Sequence, residues 1–280
     1  MDKYGCMSPT KIAYTEYNSL LQAFSIHAER NKNRVLAHYL YRPEPSSTPE
    51  SKTLTYNQID KITDYLAEEW RKSIPPSSAP GKLQHCIVTL IENPLQSILS
   101  LFAILKLGIA YLPIQDYYSE EVIAHLLKES NATYIIASKI YRAKAFKAVE
   151  LLRQSQKSRE EYLPVIGIKI WDDFNIDRLV ILTVETTAQQ RTNYINNHNN
   201  SIEYFELSGG STGQFPKIIR RTAQQFLYSM MEAMVNPVQR QEESNGKEKQ
   251  WLESSDVVLF TLNVNVGSII SMYSIHYYLL

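Results

Sequence analysis

Apolar residues recur along this chain with two different periods, and the period changes from segment to segment. Tyr17 to Ala28 carries them at helical spacing, Arg34 to Tyr41 (RVLAHYLY) reads as a strand, and Pro43 to Ser51 (PEPSSTPES) as a loop. In 54-LTYNQIDKITDYLAEEW-70, Ile59, Ile62, Leu66 and Trp70 share one face of a helix that Thr55 can cap, with Asp64 to Glu69 expected on the solvated side. Pro75 to Gly81 closes that unit. Cys86 to Ile91 (CIVTLI) is a short unbroken apolar run, the pattern of a parallel strand buried on both faces. A buried helix from Leu95 to Leu107 follows and ends at Gly108. Next come a strand at Ile109 to Pro113, a helix over Ser119 to Ser130 and a strand at Ala132 to Ala137. Strand and helix in alternation predict an α/β fold, mainly parallel sheets covered by helices.

Beyond residue 140 the pattern loosens. A helix around Ala143 to Gln156 leads to a strand at Pro164 to Ile170, and Ile202 to Leu207 reads as a further strand. Between them, Thr186 to Ser201 (TTAQQRTNYINNHNNS) is a polar, asparagine-rich surface loop, and Asn236 to Gln250 is a second hydrophilic connection. His198 lies in the first of these with no second histidine or carboxylate at metal-ligand spacing, so it reads as an exposed residue and no metal site is assigned.

Two apolar runs raise the question of a membrane. Leu95 to Leu107 is too short to cross one and carries Lys106. Val257 to Leu280 lacks a formal charge but contains Asn263, Asn265 and His276, and Gly267 interrupts it. Strand, loop and core helix suit it better, with a tail anchor as the alternative that its length permits. The chain has 280 residues, enough to bury a substantial core. Lysine plus arginine and aspartate plus glutamate both total 29, so no global field directs the chain to nucleic acid or an anionic membrane, and any anion site must be local. Cys6 and Cys86 alone give neither a disulfide framework nor a zinc spacing, and MDKYGCMSPTK lacks the apolar run of a signal peptide. The expected address is the cytoplasm.

The local anion site has one strong candidate, 206-ELSGGSTGQFPKIIRRT-222. Glycines at 209, 210 and 213 let the backbone turn successive amide hydrogens toward one anion. Ser208, Ser211 and Thr212 add hydroxyls, and Lys217 brings a point charge within reach of phosphates. The spacing is not that of a P-loop, since no glycine immediately precedes the lysine and no serine or threonine follows it. The alternative reading is a glycine-rich hairpin with an incidental basic flank. Thr222 and Gln225 have capping-box spacing and start a helix.

LSGGSTGQFPK resembles the phosphate-binding signature of the adenylate-forming superfamily, which includes acyl- and aryl-CoA synthetases, aryl-acid AMP ligases and nonribosomal-peptide adenylation domains. The form with two glycines before Ser-Thr-Gly, followed by 217-KIIRRT-222, is most similar to the aryl-acid AMP ligases. LTYNQIDKITDYLAEEW resembles the superfamily's early Leu-Thr-Tyr helix motif, and 105-LKLGIAYLPIQDYYSEEVIAHLLKESNATYIIAS-138 its next motif, in the same order.

The resemblance implies a reaction in which a small carboxylic acid attacks the α-phosphate of ATP, giving an acyl- or aryl-adenylate and pyrophosphate, with Mg2+ bridging phosphate oxygens. A thiol of CoA or a carrier protein then takes the acyl group. Ser208, Gly209, Gly210, Ser211, Thr212, Gly213 and Lys217 would hold the β- and γ-phosphates. Asn265, in 262-LNVNVG-267, matches an asparagine that contacts the acid in aryl-acid ligases, although Val264 stands where that family carries a histidine. A turn or a satisfied core amide is the other reading of Asn265.

The chain departs from the family in two ways. Gln214 and Phe215 separate Gly213 from Pro216, where the family has one residue. The chain also ends at Leu280, before the family's adenine-binding segment, magnesium-coordinating glutamate, ribose-binding aspartate and small C-terminal lobe with its catalytic lysine. The expected organisation is an extension over residues 1–11 followed, over residues 12–280, by an incomplete N-terminal portion of the large lobe, poorly active alone. The alternative is a non-catalytic nucleotide- or partner-binding remnant.

Overall fold

The computed structural model describes residues 18–41, 48–74, 86–157, 166–172, 175–182, 202–208 and 215–225. The predicted loops at 75–81, 186–201 and 236–250, the apolar run 257–280 and the extension 1–11 lie outside these residues.

The chain begins with α1 (Leu20–Arg30), then β1 (Val35–Tyr41) and β2 (Glu50–Thr55), which pair antiparallel as a small separate sheet. The expected loop over Pro43 to Ser51 therefore ends earlier than its composition suggests, because Glu50 and Ser51 pair with β1. Thr55 ends β2 and caps α2 (Tyr56–Arg71). Its hydroxyl accepts from the Gln58 amide, and the Gln58 side chain accepts from the Thr55 amide, closing a capping box.

The main sheet has strand order β6-β5-β3-β4-β7-β8. It comprises β3 (Cys86–Leu90), β4 (Ala110–Pro113), β5 (Ala132–Ser138), β6 (Gly167–Trp171), β7 (Ile202–Ser208) and β8 (Lys217–Thr222). All neighbours are parallel except β7 and β8. The crossovers are α3 (Pro94–Lys106), α4 (Glu120–Glu129) and α5 (Arg142–Lys157), and α6 (Ile176–Ile181) follows β6. Ser119 caps α4 and Gly108 takes a φ of 75° just past α3, both where a helix boundary was expected, while Asn93 caps α3 and Pro94 opens it one residue before the expected start at Leu95.

Strand alternation divides the core into two layers. Ile87 and Ile91 of the β3 region, with Tyr111, Ile136 and Tyr204, face α1, α2 and α3, where Phe24 stacks on Phe102 at 4.1 Å between ring centroids. Cys86, Val88 and Leu90, with Leu112, Ile135 and Phe205, face α4 and α5. That two-sided burial is why CIVTLI reads as an unbroken apolar run. Burial also pushes the Cys86 thiol well above its ordinary range, so it acts as a packed apolar group.

The expectation that Asp64 to Glu69 is solvated is corrected: Asp64, Leu66 and Ala67 are buried and Tyr65, Glu68 and Glu69 half-buried. Asp64 is 1% exposed and, with Asp60 at 6%, faces Lys106 of α3 at 3%. The Lys106 ammonium donates to Asp60 Oδ1 at 2.7 Å, Asp64 Oδ1 at 2.7 Å, Thr63 Oγ1 at 2.8 Å and the Asp60 carbonyl at 2.9 Å. The charge on an otherwise apolar helix thus has its partners one helix away. Glu68 and Glu69 are half-buried and pair with Arg71 and Lys72 along the helix. No helix among the described residues is long and apolar enough to cross a membrane.

Candidate phosphate-binding site

β7 and β8 were legible to different degrees. Ile202 to Leu207 is rich in apolar and aromatic residues and reads as a strand, whereas 217-KIIRRT-222 reads as a basic flank until it is seen paired. The register runs from Ile202 opposite Thr222 to Ser208 opposite Lys217, so the last rung joins the first and last residues of the expected phosphate cradle. The Ser208 hydroxyl donates to the Lys217 carbonyl at 3.4 Å, a long bond that adds little to the ladder. Gly209, Gly210, Ser211, Thr212 and Gly213, and also His198 and Asn265, lie outside the described residues.

β7 and β8 thus pair antiparallel, as either reading of this stretch allows. The three cations of the flank, however, are not equivalent. Arg221 donates from Nε to Glu206 Oε2 at 3.1 Å, diagonally across the ladder. Arg220 lies over the Phe205 ring at 5.7 Å and reaches the Glu129 carbonyl at the end of α4 at 3.4 Å. Both arginines thus fasten the hairpin, while Lys217 stands exposed at the foot of the cradle.

β7 is joined to β4 in parallel by Tyr111 opposite Tyr204, whose ring centroids lie 5.7 Å apart. Burial lifts the Tyr111 phenol to about 12 and the Tyr204 phenol well above its ordinary value, so both stay neutral in the core. This pairing points the carboxyl end of β7 the same way as those of β3, β4 and β5, the edge at which open α/β sheets bind ligands.

The same edge is polar. Tyr141 donates to Asp116 Oδ2 at 2.9 Å, and Lys144 donates to the Asp116 carbonyl, joining the end of β4 to the start of α5. Burial and then the Asp116 hydrogen bond push the Tyr141 phenol above its usual range. Glu92 just past β3, Gln115 just past β4 and Ser138 closing β5 each carry a buried oxygen with no hydrogen-bond partner among the described residues. Sequence reasoning missed this set, because single polar residues after apolar runs are ordinary loop composition. No group of three His, Cys, Asp or Glu side chains comes together to hold a metal among the described residues.

The residue that separates this cradle from the family pattern also has a defined place. Phe215 stacks on His125 of α4, with ring centroids 4.4 Å apart and planes inclined by 21°. The expected start of a helix at Thr222 is present, with Thr222 and Gln225 exchanging side-chain to backbone hydrogen bonds, both at 3.2 Å.

Comparison with known proteins agrees with this geometry. The family model for AMP-binding enzyme matches residues 24–275. Gramicidin S synthase 2 of Brevibacillus brevis is 27% identical over 128 residues, 45% of this chain and 2% of that protein. The inhibitor-bound N-terminal domain of FACL13 from Mycobacterium tuberculosis superposes with a TM-score of 0.61 at 13% identity, covering 93% of this chain and 55% of that one. The A domain of carboxylic acid reductase from Segniliparus rugosus, solved with AMP and a co-purified carboxylic acid, gives 0.59 at 11% identity, covering 96% of this chain and 45% of that one. The chain thus spans a small part of the synthetase and about half of each solved neighbour, and the two solved neighbours share its fold. With residues 24–275, most of its length, matched by the family model, the chain belongs to the AMP-binding enzyme family.

Proposed function

We propose that this chain binds the triphosphate of ATP at the β7–β8 hairpin and takes part in activating a small carboxylic acid as its adenylate. The observation that carries the reading is the closed rung between Ser208 and Lys217 at the carboxyl edge of the sheet, with Lys217 exposed beside it. Gly209, Gly210 and Gly213 present amide hydrogens to phosphate oxygens, Ser211 and Thr212 add hydroxyls, and Lys217 neutralises charge on the β- and γ-phosphates. Held this way, the α-phosphorus is open to in-line attack. The acid's carboxylate oxygen forms the new bond to phosphorus, the bond to the β-phosphate oxygen breaks, and pyrophosphate leaves.

Magnesium arrives with the nucleotide as Mg-ATP. Among the described residues no group of three His, Cys, Asp or Glu side chains comes together, and Glu206 at the hairpin is paired with Arg221. The acyl acceptor in this reading is a thiol of CoA or of a carrier protein. The AMP and carboxylic acid bound by the reductase A domain support the substrate class, and the two-glycine form of the cradle supports an aryl acid, with Asn265 touching it.

A second reading, nucleotide or partner binding without catalysis, draws on the extra residue before Pro216, which alters the spacing to the lysine. Calorimetric titration of Mg-ATP and of AMP into the chain, beside its Lys217→Ala and Gly210→Val variants, tests the phosphate site. Saturable Mg-ATP binding that is weakened selectively in the variants is expected. No binding by a folded chain, or equal weakening of both nucleotides, overturns the reading. Exchange of labelled pyrophosphate into ATP with candidate acids present separates adenylation from binding alone.

A further inference from the structure

Gln214 and Phe215 stand where the family's cradle has one residue, and Phe215, the second of the two, is not left in solvent. Instead its ring lies flat on the His125 imidazole. The seat is firm, because Ile123, Ala124, Leu126 and Leu127 on the same helix are buried in the core between the sheet, α4 and α5. A second tie from the same helix, Arg220 to the Glu129 carbonyl, holds the far half of β8. Between Phe215 and Lys217 stands only Pro216, whose ring fixes its φ, so the position of the Phe215 ring is passed to the lysine with little slack. Two residues of extended chain span about 7 Å, a distance over which a misplaced anchor moves a phosphate-binding ammonium out of reach.

From this we infer that Phe215, by stacking on His125, is a positioning residue that sets where Lys217 stands at the foot of the cradle. The extra residue is compensated by an aromatic seat on α4, and the lysine keeps its reach despite the longer connection. The inference rests on the proposed phosphate site. It differs from that proposal in assigning the placement of the lysine to a contact outside the signature.

The test uses the full chain with Phe215→Ala, His125→Ala, the double variant and Phe215→Tyr, read in two ways. In the ligand-free protein, hydrogen exchange at the β8 amides is expected to quicken in each alanine variant by roughly three- to tenfold, as the loss of an aromatic pair allows. The β3 and β5 amides stay as they are, and Phe215→Tyr restores the wild-type rate. In titrations, Mg-ATP affinity falls in each alanine variant by roughly the same factor, AMP affinity falls less, and the double variant is no worse than either single one. Unchanged β8 exchange, or losses that add in the double variant, overturns the inference. If the wild-type chain binds no Mg-ATP while β8 exchange still responds and tyrosine rescues it, the seat on α4 stands and the phosphate reading fails.

Discussion

Ser208 and Lys217 face each other across the last rung of the β7–β8 ladder, and the Ser208 hydroxyl donates to the Lys217 carbonyl at 3.4 Å. The rung matters more than the bond, because it fixes the two ends of the expected phosphate cradle to one strand pair.

Lys217→Ala therefore removes a charge while leaving the rung in place. Mg-ATP binding weakens by roughly ten- to hundredfold, the range for a hydrogen bond to a charged group. AMP, which lacks the β- and γ-phosphates, loses much less. Ser208→Ala costs under about 1 kcal/mol of stability, as suits so long a bond. Titration calorimetry with both nucleotides and thermal unfolding of both variants check this.

Lys106 joins α3 to α2 through Asp60, Thr63 and Asp64, all buried. Lys106→Met strands two carboxylates in the core and is expected to destabilise the chain by about 3–5 kcal/mol. Adding Asp60→Asn and Asp64→Asn recovers a large part of that loss, because the stranded charge accounts for most of the cost. Urea unfolding midpoints of the single and triple variants decide it; a triple variant no more stable than Lys106→Met refutes the account.

Alkaline pH tests the β4–β7 contact that orients the hairpin. The Tyr111 phenol is lifted to about 12 by burial, and Tyr204 well above its ordinary value. A phenol with a raised folded pKa keeps its proton where the unfolded chain has lost it. Its stabilisation is complete below the unfolded value near 10 and disappears as pH climbs through the folded value. Stability is thus expected to fall between about pH 10 and about pH 12, by about 2–3 kcal/mol for Tyr111 alone. Tyr111→Phe flattens that part of the profile, which denaturation across the range measures.

Gly167 opens the edge strand β6, and its missing side chain leaves the space that the Tyr134 ring occupies. Gly167→Ala drives a methyl group into that ring, which is also hydrogen-bonded through its hydroxyl to the Ser73 carbonyl. A loss of about 1–3 kcal/mol is expected, with β5–β6 pairing weakened first. Tyr134→Ala in the same background recovers part of it if the clash is the cause, as thermal unfolding of the pair of variants shows.

The alternation of strands and helices from Cys86 to Ser138 was legible in the residues, because a strand buried on both faces has to be apolar throughout and the helices between carry apolar residues at helical spacing, with Gly108 closing α3. The capping boxes at Thr55 and Thr222 were legible for the same local reason. The phosphate signature, too, is a matter of residue order. What chain order alone left undetermined were the relationships between distant segments. Lys106 counted in the sequence only as a charge against a membrane span, and its partners Asp60 and Asp64 lie 46 and 42 residues away. KIIRRT carried no strand signal, because one charged or polar residue serves as well as another on an edge strand whose arginines find their partners at Glu206 and Glu129. Phe215 read as a departure from a pattern and proved to have a seat on His125, which only the docking of β8 against α4 creates. Periodicity and caps act within one turn or one pleat and so are written in the sequence; charge pairing and ring stacking across the sheet depend on which surfaces the fold brings together, and the tertiary structure alone decided those.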